Sequence, residues 1–181
     1  MRFSASFSLL CFTAGVCSGH QTVNINSIQH GVDVITAGVS HLSQVIHNYG
    51  VNMKILEPTW ETYFLTLENG IAEVERAQPI ISDQELQVLL PTLARGIKAF
   101  TSLIEIEIKS RRDEVFESGL CLPFRQFTEK QTLVASHWDG ALHSKIPLKF
   151  WSMYPELNEK VVMGLLQELR SMFGDCKATK H

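Results

Sequence analysis

The 181-residue sequence lacks the short motifs that mark most enzymes and nucleotide-binding proteins. It has no G-x-S-x-G element of a serine hydrolase and no glycine-rich phosphate-binding loop. The acidic residues Glu105, Glu107 and Asp113 fall at the spacing of an ordinary solvated helix face, which does not indicate a pair of catalytic carboxylates. The sequence therefore predicts a protein that is not an enzyme and that needs no cofactor.

The seven histidines do not have the spacing of a metal site. No C-x-x-C or H-x-x-x-H pair is present. His137 and His143 lie about 600° apart around a helix, which places them on largely opposite faces. His30 and His41 share a face but are separated by about 16 Å along the axis. No metal site is predicted, and a site assembled between helices is the remaining alternative.

A surplus of positive charge is also lacking, since 16 lysines and arginines stand against 19 aspartates and glutamates, for a net charge of −3. Nucleic-acid binding depends on clustered cations that neutralise phosphates, so no nucleic-acid partner is predicted. The one basic run, "KSRR" at residues 109–112, falls late in a predicted helix, where cations offset the partial negative charge of the C-terminus. A binding patch for a protein or for lipid head groups is the alternative for this run.

No stretch approaches eighteen uninterrupted apolar residues, so no transmembrane segment is predicted. Residues 1–19 combine a basic Arg2, a short apolar centre and small residues at the end, as in a cleavable secretory signal. Residues 20–176 are then one domain, and 177–181 a short tail without a Ser/Thr-rich stalk or a hydrophobic anchor segment. We therefore expect a secreted protein that is released and not tethered by a lipid anchor.

Strand-like alternation is nearly absent, whereas apolar residues recur every three or four positions, as in amphipathic helices. Five such stripes cover about residues 25–46, 56–74, 86–115, 124–142 and 157–173. Pro58 fits the first turn of the second helix, and Pro91 predicts a kink or a break in the third. "SDQE" at residues 82–85 is a capping box, and Gly119 stops the third helix. The pattern predicts an all-α, five-helix antiparallel bundle.

Cysteine is scarce, and Cys11 and Cys17 of the four lie in the predicted signal, which leaves Cys121 and Cys176. If neighbouring helices alternate in direction, the third and fifth helices end at the same pole, and these two cysteines lie just past those ends. The oxidising environment of a secreted protein favours a disulfide between them. The bond would close a loop of 176 − 121 = 55 residues. Such a loop corresponds to about 4 kcal/mol on the chain-entropy model.

Small and aromatic residues in the predicted interior leave two interpretations open. Gly31 and Gly38 flank the first stripe, where alanine would stabilise the helix by about 1 kcal/mol each. They indicate either close helix contact or room for a ligand. Large aromatic side chains of the second and fourth helices would form rigid walls, of a core or of a pocket. They are Trp60, Phe64, Phe127 and Trp138.

Three stretches carry a resemblance to a known family: "LLPTLARGIKAFTSLIEIEIKSRRDEVFESGL", "VASHWDGALHSKIPLKFW" and "LLQELRSMF". They combine a leucine/isoleucine stripe, a basic pair followed by a phenylalanine and a glycine, a K-I-P step, and a last helix ending at Phe173. In this pattern, from about Asn24 to Phe173, the chain resembles the fungal hydrophobic surface-binding protein A family, which includes the antigenic cell-wall galactomannoproteins.

The resemblance implies a secreted five-helix bundle whose central hydrophobic cavity encloses long-chain fatty acids of the arachidonic or palmitic type, or related lipids. It also implies an alternative, an interfacial protein that adsorbs to hydrophobic surfaces and recruits a secreted hydrolase such as a cutinase or lipase. We expect a monomer, with at most a loose association with the fungal cell wall.

On this reading, inward-facing residues of all five helices bind the lipid. They are Val32, Ile35, Val39, Leu42, Trp60, Phe64, Leu67, Leu93, Ile97, Phe100, Ile104, Phe127, Gln131, Val134, Trp138, Leu165 and Leu169. Gln131 is the unusual member, because it stands where the fourth stripe calls for an apolar residue. It either binds the lipid head group or pairs with a buried backbone group.

Overall fold

The computed structural model describes the backbone of residues 7–151 and 159–176, and the side chains of residues 25–151 and 163–176. Every regular element in these ranges is helical. The elements are α1 (Phe7–Tyr49), α2 (Met53–Arg76), α3 (Asp83–Ser102), a π-helical turn (Leu103–Ile108), a 3-10 turn (Lys109–Arg111), α4 (Arg112–Glu117), α5 (Cys121–Lys145), α6 (Leu148–Trp151) and α7 (Glu159–Met172). The predicted all-α bundle is confirmed, and α1, α2, α3, α5 and α7 correspond to the five predicted helices.

Some predicted features fall outside the described residues. They are the side chains of the predicted signal at residues 1–19, the start of the last predicted stripe at residue 157, and the tail at residues 177–181. In the described part of the chain, no helix has the length and apolar character that a membrane crossing requires.

Capping residues mark the helix ends at the turns where the chain reverses direction. Gly50, with a φ of 61°, follows α1 and donates its amide to the Ile46 carbonyl at 2.9 Å. The Asn52 side chain then accepts from the Lys54 amide and caps α2. The predicted capping box of α3 is present, since Ser82 Oγ accepts from the Glu85 amide at 3.2 Å and the Glu85 carboxylate accepts from the Ser82 amide at 3.0 Å.

The two helix prolines are placed differently from the prediction. α2 begins at Met53, so Pro58 lies in its second turn and not its first. Of the kink or break expected at Pro91, the break is wrong, because α3 continues through this residue to Ser102. Pro91 has no amide hydrogen to donate to the Gln87 carbonyl, four residues earlier. Both residues are exposed, so water can hydrate that carbonyl. The helix departs from α geometry only after Ser102, at the π-helical turn.

The glycines of α1 bring α1 and α2 into close contact. A Cβ atom on Gly31 would lie 2.6 Å from the Gly70 carbonyl oxygen, and one on Gly38 would lie 3.0 Å from Thr66 Cγ2. Conversely, a Cβ on Gly70 would lie 2.5 Å from Ile35 Cγ1. The first of the two interpretations therefore applies, since these glycines permit helix contact and make no room for a ligand.

The predicted disulfide joins Cys121, the first residue of α5, to Cys176, just after α7. The two Cα atoms are 5.4 Å apart, and Arg125 Nη1 donates to the Cys176 carbonyl at 3.2 Å. The prediction is confirmed, because antiparallel packing brings the start of α5 beside the end of α7. The bond fixes the end of α7 beside the start of α5.

Candidate functional site

A mostly apolar cavity of about 80 Å³ lies between α1, α2, α3 and α5, with one residue each from α6 and α7. One water molecule needs about 10–15 Å³ of such a volume. The cavity therefore has space for several water-sized groups. Its lining comprises Val32, Ile35, Leu67, Ile71, Leu93, Gly96, Ile97, Phe100, Gln131, Val134, Ala135, Trp138, Asp139, Leu142, Trp151 and Met163.

Burial distinguishes a deep side of the cavity from a side near the surface. Val32, Leu67, Ile71 and Leu93 are almost fully buried and close the deep side. Other lining residues are only half-buried, namely Gly96, Ile97, Trp138, Asp139, Trp151 and Met163. The cavity therefore approaches solvent between α3, α5, α6 and α7.

Gln131 is the polar group of the deep side. Its residue is 2% exposed and lines the cavity, and neither Nε2 nor Oε1 has a hydrogen-bond partner among the described residues. A buried polar atom without a partner costs about 1–3 kcal/mol, so native proteins rarely contain one without a reason. A backbone group that pairs with the amide, the structural alternative for Gln131, is not found in the described part of the chain.

Two further buried polar groups are also unpaired among the described residues, the Tyr63 hydroxyl beside Gln131 and Trp60 Nε1. Burial raises the pKa of the Tyr63 phenol, and the neighbouring Gln131 side chain lowers it by a smaller amount. Tyr63 is therefore a neutral hydroxyl beside the amide, although the two groups are not in hydrogen-bond geometry. Trp60 lies three residues before Tyr63 on α2. Its ring stacks on Phe127 with the ring centroids 4.8 Å apart.

The side of the cavity near solvent has a fixed aromatic rim. His143 stacks on Trp151 with ring centroids 4.3 Å apart, and Trp151 Nε1 donates to the Ile146 carbonyl at 2.9 Å. His143 Nε2 also lies 3.6 Å from the Asp139 carboxylate, one turn earlier on α5. These contacts hold α6 against the end of α5, so that Trp151 lies over the cavity.

Nine of the seventeen residues predicted to bind lipid line this cavity. They are Val32, Ile35, Leu67, Leu93, Ile97, Phe100, Gln131, Val134 and Trp138. The structure places the other eight outside the lining, in contacts between helices. They are Val39, Leu42, Trp60, Phe64, Ile104, Phe127, Leu165 and Leu169. The aromatic members of this second group fill the space among themselves, since Phe64 and Phe127 also have their ring centroids 5.5 Å apart.

Seven lining residues were not predicted, namely Ile71, Gly96, Ala135, Asp139, Leu142, Trp151 and Met163. Ile71 and Leu142 belong to the predicted stripes, so the periodicity contains their signal. Gly96 and Ala135 are small residues, and a small residue on an inward face could have been read as room for a ligand. Nothing in the sequence indicated Trp151, which depends on the position of the short helix α6.

The basic run at residues 109–112 is paired within the fold. Lys109 contacts the carboxylates of Glu168 and Glu105. Its hydrogen bonds to these carboxylates raise its pKa, and the bond to Glu168 has the larger effect. Arg111 donates to the His47 carbonyl at 3.1 Å, at the end of α1. These contacts support the structural interpretation of the run over a binding patch.

The histidines with ion-pair contacts in the described ranges each face a single carboxylate. His137 Nε2 lies 2.9 Å from Glu75 Oε1, and His47 Nδ1 lies 3.3 Å from Glu107 Oε1. Within the described ranges, no group of three or more histidine, cysteine, aspartate or glutamate residues could hold a metal ion.

Comparison with known proteins identifies structural neighbours but no sequence relatives. No family model matches the chain, and no curated protein matches it. Three solved structures of Penicillium marneffei MP1 ligand-binding domains share the fold. Domain 1 complexed with arachidonic acids has a TM-score of 0.73 at 18% identity, over 83% of this chain and 98% of that one.

Domain 2 of the same protein was matched in two complexes. In complex with arachidonic acids it has a TM-score of 0.75 at 13% identity, over 86% of this chain and 97% of that one. Complexed with multiple arachidonic acids it has a TM-score of 0.74 at 14% identity, over 83% and 96%. At these identities the likeness concerns the fold alone, so the chain is similar in fold to the ligand-binding domains of the MP1 protein.

Proposed function

We propose that this chain is a non-catalytic lipid-binding protein that encloses a long-chain fatty acid, or a related lipid, in the cavity between α1, α2, α3 and α5. The observation that carries the proposal is the Gln131 amide, which is buried and unpaired at the wall of an otherwise apolar cavity. An apolar chain fits the lining, and a polar end would pair with the amide. Binding pockets typically combine such an apolar lining with few polar groups.

The apolar lining can supply the required affinity. Each methylene removed from water contributes about 0.8 kcal/mol, so about fourteen methylenes give on the order of 10 kcal/mol before the costs of association. Those costs are about 4 kcal/mol or more for lost translation and rotation. A long acyl chain therefore leaves a favourable balance, whereas a short one does not.

The fold comparison supports the same class of ligand. The neighbours are described as ligand-binding domains, and each was solved with arachidonic acids, which are long-chain fatty acids. Their description as ligand-binding domains also favours a non-catalytic role for this chain. Secretion is part of the proposal, supported by the composition of residues 1–19 and by the disulfide, a bond typical of oxidising compartments.

Lipid extraction of the purified protein, followed by mass spectrometry, tests the proposal directly. A stoichiometric co-purified acyl lipid, or saturable binding of a fatty acid panel after delipidation, is the expected result. Failure to bind any long-chain lipid would refute the carrier function.

A pair of cavity-filling variants shows where a lipid binds. Ala135→Leu adds volume to the cavity lining and is expected to weaken binding at least tenfold, since the ligand and the added methyl groups compete for a narrow space. Ala94→Leu makes the same change at an exposed position of α3 and should leave the affinity unchanged. Equal affinity of both variants would place the lipid elsewhere.

Adsorption to hydrophobic surfaces is the second candidate function, and exposed aliphatic side chains favour it. Ile81 is 67% exposed and Leu148 is 80% exposed. Ile81 lies just before α3 and Leu148 begins α6. These two regions meet through a hydrogen bond from the Ile80 amide to the Lys145 carbonyl at 2.7 Å. If this end adsorbs, Ile81→Lys with Leu148→Lys will reduce retention on a hydrophobic film without changing lipid binding in solution.

A further inference from the structure

The unpaired amide of Gln131 has two different requirements. Nε2 needs an acceptor and Oε1 needs a donor, and neither has one among the described residues. A hydroxyl or a primary amide can supply both, and so can a carboxylic acid that retains its proton. An ionised carboxylate is an acceptor only, so it cannot itself supply the donor that Oε1 needs.

The charges around the cavity also oppose an anion. Among the described lining residues there is no lysine, arginine or histidine, and Asp139 is the one charged side chain. Asp139 lies eight residues after Gln131 on α5, about 12 Å along the helix axis. A carboxylate at Gln131 would therefore be buried without a counter-ion, which is far more costly than burying a neutral group.

The neighbours of Gln131 do not supply the missing positive charge. Lys130 is exposed, and its Nζ lies 4.4 Å from the centroid of the Phe64 ring, outside the cavity lining. The unpaired groups of Tyr63 and Trp60 are neutral, as is the amide itself. None of these groups thus supplies the positive charge that a buried carboxylate would need as a counter-ion.

We infer that the cavity selects lipids whose head group is uncharged and carries both a donor and an acceptor, in preference to the carboxylate of the same chain. Fatty alcohols, primary fatty amides and un-ionised fatty acids belong to this class. The inference rests on the proposed function, because it specifies the head group of the lipid that the cavity encloses. Gln131 is the residue that sets the preference, by pairing both of its amide atoms with the ligand.

Four lipids with the same alkyl chain test this selectivity at about pH 8, well above the pKa of about 4.3 of an exposed carboxyl group. They are oleyl alcohol, oleamide, methyl oleate and oleate, compared by displacement of a fluorescent probe from the delipidated protein. The alcohol and the amide should bind about 5- to 150-fold tighter than oleate, the ratio that corresponds to one unpaired buried group. Methyl oleate, which is uncharged but offers only acceptors, should bind more weakly than the alcohol.

Substitution of Gln131 tests the residue assigned to this role. Gln131→Leu should abolish the preference of the alcohol over methyl oleate while the alkyl chain still binds. Gln126→Leu makes the same change on the exposed side of α5 and should keep the preference of the unmodified protein.

The outcomes separate this inference from the proposed function. If none of the four lipids binds, the carrier function fails. If all bind and oleate binds as tightly as the alcohol and the amide, the carrier function stands and the head-group inference is wrong. A preference for the alcohol that persists in Gln131→Leu would also overturn the assignment to Gln131.

Discussion

Replacing Gln131 with leucine should change stability and lipid affinity in opposite directions. The amide is 2% exposed and unpaired among the described residues, so the lipid-free protein bears the cost of a buried polar group. Leucine removes that cost and restores the apolar stripe of α5. A lipid that uses the amide loses its polar partner in the same step.

The expected magnitudes follow from the burial. Removing an unpaired buried amide contributes about 1–3 kcal/mol to the free energy of unfolding. Imperfect packing of the branched leucine offsets up to about 1.5 kcal/mol of this. The lipid-free protein should therefore be unchanged or more stable, with a Tm increase of at most about 12 °C for a chain of this size. Two lost hydrogen bonds of about 1 kcal/mol each weaken lipid binding by about 30-fold.

Thermal unfolding followed by circular dichroism gives the stability, and displacement of a fluorescent lipid gives the affinity. Both are measured on delipidated protein, since bound lipid would itself raise the Tm. Gln126→Leu, at an exposed position of the same helix, is the matched control. A lower Tm combined with unchanged lipid affinity would refute the reasoning, because it would mean that the amide has a structural partner.

Further predictions concern the two features that hold the helices together. Replacing Cys121 and Cys176 with alanine should lower the free energy of unfolding by about 4 kcal/mol, measured by denaturant unfolding, because the bond closes a loop of 55 residues; an unchanged midpoint would contradict this. Gly31→Ala should destabilise by about 1–3 kcal/mol, since its Cβ would lie 2.6 Å from the rigid Gly70 carbonyl. Gly140→Ala, at a helix position with no atom within 4 Å of the new Cβ, should instead stabilise by about 0.5–1 kcal/mol, and equal effects of the two substitutions would argue against the tight α1–α2 contact.

Much of the fold could be predicted because its signals are local or depend only on helix direction. The capping box at Ser82 and the stop at Gly119, whose φ is 69°, involve residues that are close in sequence. The disulfide joins distant residues, but it required only that neighbouring helices alternate in direction. The end of the third helix was less predictable, because the π-helical turn at residues 103–108 has no comparable sequence signature.

The cavity could be predicted only in part, because periodicity shows which face of a helix points inward and not whether the space opposite is filled. α5 illustrates the difference. Phe127 and Val134 belong to the same stripe, yet Phe127 packs against Trp60 and Phe64 whereas Val134 lines the cavity. The change from core to cavity takes place along the helix, at Gln131, and depends on the size of side chains that other helices contribute.

The glycines also show what cannot be predicted from one helix alone. Gly31 and Gly38 were compatible with either close helix contact or room for a ligand, and both face α2, which fills the space with its own backbone and side chains. Gly96 of α3 does line the cavity. A Cβ there would lie 3.2 Å from Thr36 Oγ1 and 3.5 Å from Val32 Cγ1, which are wider separations than those at Gly31. Whether a missing side chain leaves room depends on the partner helix, and this information is not contained in the helix that carries the glycine.

The position of Gln131 also bears on how a ligand would be oriented. The amide lies at the deep side, whereas Trp138, Asp139 and Trp151 lie where the cavity approaches solvent. A head group that pairs with Gln131 must pass this rim and lose its hydration before the alkyl chain is fully enclosed. Desolvation costs an ionised head group far more than a neutral one. The rim combines the Asp139 carboxylate with His143, whose Nε2 lies 3.6 Å from it. The depth of the amide, and not the charge of the rim, therefore favours an uncharged head group that enters first.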